Sequence, residues 1–264
     1  MKLGKIVIIL LTVFIVSCSN NSEKNGEWSK ITRERKTIDN ITYYFSSKID
    51  ITRRTSAIKE CRNSIIENLK LIKETKFTNE MDIEFVESRK EMLKYTGMGA
   101  QGMAFPDRNT FFTLLKDEGS PSPIKHEMMH MITMYKWGTP PETSTWMNEG
   151  LATYAGGSCP EFSLSESYKY FIQSKKVIPM KNLANNFYGN PEMIAYTQSA
   201  FVCKFLIDNY GLEKFKLLWK NGFNELQSIY GFNNQQLEMS LLEFINKIYS
   251  TEIEFNWNKF NEGC

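Results

Sequence analysis

The sequence predicts an α+β fold, and three observations carry that expectation. Runs of β-branched and aromatic residues, bounded by turn-forming Gly, Pro, Asn and Asp, fall within the first 115 residues. Apolar residues recurring at three- and four-residue steps, the period of a helix packed on one face, alternate with those runs and fill the chain beyond residue 122. The roughly 235 residues that follow an apolar leader and a polar stretch suffice for a substantial core, in one large or two closely packed domains.

Residues 1–18 read as a targeting segment. Lys2 and Lys5 precede an apolar run from Ile6 to Val16, too short to span a bilayer as a stable helix but suited to a signal peptide. The segment ends Ile15-Val16-Ser17-Cys18, which resembles a bacterial lipobox. That resemblance implies cleavage before Cys18 and lipid on its thiol and new amino group, a stable anchor without a membrane-spanning helix. An ordinary signal peptide with an incidental cysteine is the alternative. The expected location is the bacterial cell envelope. Ser19, where lipoproteins kept at the inner membrane often carry an acidic residue, points to the outer membrane. Residues 19–27, SNNSEKNGE, are polar and aperiodic and read as a flexible tether to a domain over 28–264.

Within that domain, Lys30 to Ser46 predicts a hairpin turning at Asp39-Asn40. Thr52 to Glu74 predicts a long helix with Ile58, Cys61, Ile65, Leu69 and Ile72 facing a core. Asp82 to Val86 reads as a strand, and Glu87 to Tyr95 as a short helix ended by Gly97. Gln101–Phe105 and Thr110–Leu115 read as strands flanking a turn at Pro106-Asp107-Arg108-Asn109. Further on, Ser163–Ser174 reads as a helix capped by Ser163, and Met193 to Tyr210 as another, stopped by Gly211. Two or three amphipathic helices follow to Tyr249, with Phe215, Leu218, Trp219, Leu241, Leu242, Phe244 and Ile245 expected in the core. The last fifteen residues carry no readable pattern.

The chemistry concentrates in Pro123–Tyr154. Ser122 can cap a helix, Pro123 suits its first turn, and Gly138 and Pro140 stop it. His126 and His130, four residues apart, project from one face of that helix, the spacing two nitrogens need to hold one metal ion. Glu127 is rotated by about 100° from His126, so it sits beside the ion, where a general base belongs. A catalytic zinc takes three protein ligands and keeps a fourth position open. The natural third ligand is Glu149, in a second short helix, Trp146 to Ala152, with Thr145 as its cap and Gly150 and Ala152 small enough for the two helices to approach. A histidine on a buried helix is often a core residue, but this chain has 2 histidines and both are in the pattern.

His126-Glu127-Met128-Met129-His130, then Asn148-Glu149-Gly150-Leu151-Ala152, resembles the gluzincin metallopeptidases, including the aminopeptidase-N family and small peptidase-MA-like domains. The resemblance implies two lobes: residues 28–137 with a mixed sheet backed by helices, and residues 138–264 largely helical, with the cleft between them. It implies Zn2+ held by His126, His130 and Glu149, Glu127 as general base, and a peptide or protein substrate. It also implies that Tyr196, in Ala195-Tyr196-Thr197-Gln198-Ser199, donates a hydrogen bond to the oxyanion; simple packing of Tyr196 is the other reading. Tyr135 and Tyr154 are weaker candidates. A strand before the metal helix lies at a sheet edge in this family, and Gly97, Gly99 and Gly102 would let a substrate backbone approach it; a hairpin merely packed on the helix is the alternative. The GxMEN motif of the aminopeptidase-N family is not found. Where thermolysin-like members carry an acidic residue to orient a ligand histidine, this chain has Thr153, so a different partner must hold the imidazole N–H.

Other classes are disfavoured. Net charge is +2 with both signs well mixed, giving no basic stripe for nucleic acid; the expected partners are a substrate and, through the lipid, a membrane. Cys61, Cys159, Cys203 and Cys264 allow two disulfides in an exported chain, or free buried thiols. The alternative function is a surface binding protein on the same scaffold that keeps zinc as a structural metal. Retention of Glu127 argues against it, since a structural site needs no base.

Overall fold

The computed structural model describes residues 34–115, 122–157 and 161–262. The hairpin forms as its sequence dictates: β1 (Glu34–Ile38) and β2 (Ile41–Phe45) pair antiparallel, with Asp39 at φ 55° in the left-handed turn that Asp tolerates. Helix α1 (Ile51–Leu71) starts at Asp50, whose carboxylate accepts the backbone N–H groups of Thr52 and Arg53 at 2.9 and 3.0 Å. It crosses over to β3 (Met81–Val86), which lies parallel to β2. Helix α2 (Arg89–Thr96) runs from the cap Ser88 to Gly97, which takes φ 80°. Then β4 (Gly102–Phe105) folds back antiparallel on β5 (Thr110–Leu114), and β5 lies parallel to β3.

The result is a five-stranded mixed sheet in the order β1-β2-β3-β5-β4, with β4 at an edge. Ile41, Tyr43 and Phe45 alternate inward on β2, as do Met81, Ile83 and Phe85 on β3. Phe45 and Phe85 are register partners, and their rings stack at 4.6 Å. Against the sheet lies α3 (Ile124–Trp137), packed along α1 and touching β4 and β5. Ser122 Oγ accepts the Ile124 N–H at 3.2 Å, and Gly138 at φ 88° ends the helix.

The remaining elements are helical. They are α4 (Thr145–Gly156), α5 (Leu164–Gln173), α6 (Met180–Asn185), α7 (Glu192–Tyr210), α8 (Leu212–Asn221), α9 (Leu226–Tyr230), α10 (Asn234–Ile248) and α11 (Trp257–Asn261). Helix α7 is buried on most sides, as its apolar composition requires, and packs against α4, α5 and α8. The fold is thus α+β, with a small mixed sheet and many helices. No helix among the described residues is long and apolar enough to cross a membrane.

Several expectations are corrected. Thr145 is not a cap: the chain enters α4 through the turn Glu142–Ser144, and the Thr145 hydroxyl donates to the Glu142 carbonyl at 2.7 Å. Gly150 serves a different neighbour: a Cβ there would lie 2.6 Å from the Ser199 carbonyl on α7, so the close approach is α4 to α7 rather than α4 to α3. Leu242 is 42% exposed, because α10 turns that face outward while Leu237, Leu241 and Ile245 reach the core. For Cys61 and Cys203 the second of the two cysteine readings holds: both are free, buried thiols, and burial pushes their pKa values well up. Cys159 and Cys264 lie outside the described residues, as do the leader, Cys18 and the tether. The last fifteen residues, which carry no readable pattern, contain α11, whose Trp257 and Phe260 close on Tyr170, Phe162 and Phe171.

Candidate metal centre

Two helices deliver the cluster. On α3, one turn brings the His126 and His130 rings together, with their Nε2 atoms 3.1 Å apart. From α4, Glu149 reaches both: its Oε2 is 3.4 Å from each Nε2. The three ligand atoms lie within 4.8 Å of one another. Ligands about 2.0–2.1 Å from a tetrahedral zinc stand about 3.3–3.4 Å apart, so the donor set has the right chemistry and the right spacing. Glu127, buried on the same helix, stands beside these atoms as its rotation from His126 requires.

His130 and Glu149 each have a further partner. The Asn148 carboxamide oxygen lies 2.8 Å from His130 Nδ1, so with Nε2 turned to a metal the Nδ1–H donates to Asn148. For His130, Asn148 therefore fills the role left open at Thr153, whose buried hydroxyl has no partner among the described residues. Glu149 uses its second oxygen elsewhere: the Tyr188 hydroxyl donates to Oε1 at 2.9 Å. Asn68, fully buried on α1, donates to the Lys125 carbonyl at 2.9 Å and pins the start of α3.

The electrostatics follow from burial. Burial raises the Glu127 pKa; the two imidazoles and the Ala104 N–H on β4 only partly offset it. Burial also disfavours charge on His130, but the Glu149 carboxylate outweighs it and holds the His130 pKa up at about 9. Glu149 itself is held well below the usual carboxylate range: its burial works against this, and the two imidazoles overcome it.

Tyr196 joins the site from α7, its ring 6.3 Å from that of His126 and 5.0 Å from that of Phe187. Burial and the Glu149 charge raise its pKa, so it keeps its proton and can donate. Tyr135 does not join: it packs on Phe77 and its hydroxyl bonds to Asn109. Tyr154 faces Lys204 instead. The expectation that Gly97, Gly99 and Gly102 make room for a substrate is also corrected. Gly97 caps α2, and Gly99 sits by the Arg89 carbonyl. Gly102 makes room for Glu127, whose Cγ would be 2.6 Å from a Cβ there.

Sequence reasoning missed Asn148, Tyr188 and the role of Gly102. Asn148 had a signal in its place beside Glu149. Tyr188 had none, since it comes from the short turn Phe187–Gly189 between helices.

The Peptidase MA superfamily matches residues 72–247. The chain belongs to that superfamily. The matched stretch starts at the end of α1 and carries all of the site described above. No curated protein matches the chain. Membership agrees with a metallopeptidase scaffold and with a His126, His130 and Glu149 group positioned to bind a metal.

Proposed function

We propose that this protein is a zinc-dependent peptide-bond hydrolase of the gluzincin type. The observation that carries the reading is the convergence of His126, His130 and Glu149 with buried Glu127 beside them. When bound, zinc lowers the pKa of a ligated water and polarises a carbonyl oxygen. Glu127 takes the proton from the attacking water and returns it to the leaving amine. Burial raises its pKa, which favours holding the proton between the two transfers. The Tyr196 hydroxyl donates to the oxygen that gains charge, a contact whose removal typically costs about a hundredfold or more in rate. The substrate peptide lies along β4, the sheet edge beside Glu127.

In the same proposal the sheet-bearing part, 28–137, and the helical part, 138–264, form two lobes flanking the cleft. Residues 1–18 direct export, Cys18 carries the lipid, residues 19–27 are the tether, and the domain works at the bacterial outer membrane on peptides or proteins.

The test is metal analysis of the purified full chain together with cleavage of a peptide mixture read by mass spectrometry. One zinc per chain is expected, lost in His126→Ala and Glu149→Ala. Glu127→Gln should keep the zinc and lose about a hundredfold or more of the cleavage rate. No zinc uptake, even when zinc is supplied, would overturn the reading. Cleavage that survives Glu127→Gln would overturn the mechanism.

A further inference from the structure

We infer that Tyr188 is a positioning residue that confines Glu149 to single-oxygen ligation and so keeps the remaining metal position open. The inference rests on the metal site proposed above. Glu149 presents its two oxygens differently: Oε2 faces both imidazoles at 3.4 Å, and Oε1 accepts the Tyr188 hydroxyl at 2.9 Å. A carboxylate with both oxygens free can close on a metal with the pair, filling the position that water or a substrate carbonyl needs. A phenol hydroxyl on Oε1 holds that oxygen away.

The turn that carries Tyr188 is built to hold it. The Tyr188 residue is 70% exposed, so the core does not fix its position; the backbone must. Phe187 is buried beneath it, in edge contact with the Tyr188 ring at 5.2 Å and the Tyr196 ring at 5.0 Å. Asn190 Nδ2 closes the turn on the Asn186 and Phe187 carbonyls at 2.6 and 3.3 Å. At Gly189 a Cβ would lie 2.7 Å from Asn186 Cγ, so a larger residue would push the Asn186 carboxamide aside. Tyr188 is thus held by three neighbouring residues in sequence while its hydroxyl reaches across to a metal ligand on α4.

The experiment uses the full chain, stripped with a chelator and reloaded with Co(II), whose visible absorption is intense in four-coordinate sites and weak at higher coordination. Wild type should give the intense form. Tyr188→Phe, which leaves the exposed ring in place, should give a weaker, shifted band and bind zinc about tenfold less tightly. Tyr196→Phe removes a neighbouring hydroxyl and should leave the band in place. An unchanged band and zinc affinity in Tyr188→Phe would overturn the inference while leaving the metal site standing; equal changes in the two variants would overturn it as well. A wild-type chain that takes up no Co(II) would overturn the metal site and the inference together.

Discussion

Glu127 is held against β4 with no slack. Ala104 donates its N–H to the carboxylate, and Gly102 has no side chain because the Glu127 chain occupies that space. Gly102→Ala would put a Cβ 2.7 Å from Glu127 Cδ and displace the base by a large fraction of an ångström. A misplacement near 1 Å costs about a hundredfold in rate. The expected outcome is that loss with zinc content unchanged, measured as cleavage rate against metal stoichiometry; a full rate would mean that the strand does not place the base. Asn148→Ala removes the acceptor from His130 Nδ1 and should weaken zinc binding by about 10- to 100-fold, read by competition with a chelating dye. These residues also show how far the sequence could be read. His126, Glu127 and His130 lie on one helix, where spacing alone fixes direction; Glu149, on a second helix, was readable as the third ligand from the Asn148–Ala152 pattern. Gly102 and Tyr188 act across the fold, from an edge strand and an irregular turn, and no local period records whom they meet.

The same division holds for the helices and strands. The hairpin, α1, β3, α2 and α3 were readable because each has its own period, and the turn at Asp39-Asn40 and the stops at Gly97 and Gly138 stand in the sequence; the caps Asp50 and Ser88 emerged only in the structure. What a face packs against was not readable. Gly150 looked like a contact between the two ligand helices and instead seats α4 on Ser199 and Cys203 of α7. Leu242 has the same apolar side chain as its neighbour Leu241, yet only Leu241 finds a partner surface. Helix α11 spans 5 residues, too few to display a period, and its position is set by the aromatic rings it meets. The Gly150 contact yields a prediction. Gly150→Ala forces α4 off α7 and should destabilise the chain by about 1–3 kcal/mol, as overpacking does. For a domain of this size that lowers the thermal midpoint by about 2–4 °C per kcal/mol. Calorimetry of the metal-free protein would isolate this effect; an unchanged midpoint would mean that the helices separate without cost.

A metal bound by His126, His130 and Glu149 ties α3, which lies on the sheet, to α4, which lies on α7, so occupancy should stabilise the whole molecule. At a hundredfold excess over the dissociation constant that is about 2.7 kcal/mol. The pH dependence follows from the charges that the metal replaces. In chelator-stripped protein His130 is raised from its ordinary 6.5 to about 9, so its contribution to stability is complete below about 6.5 and fades as pH rises through about 9. Glu149 is lowered from 4.5, so its contribution is present above about 4.5 and is lost in acid. The stripped protein therefore gains most from this pair between about pH 4.5 and 6.5. Zinc must displace the His130 proton, so zinc and proton compete for one nitrogen. Zinc should raise the thermal midpoint little at pH 6 and more at pH 8, with one proton released per zinc bound near pH 7, measured by calorimetry in buffers of different ionisation enthalpy. Equal shifts at both pH values, with no proton released, would show that Glu149 does not hold a proton on His130 in the stripped protein.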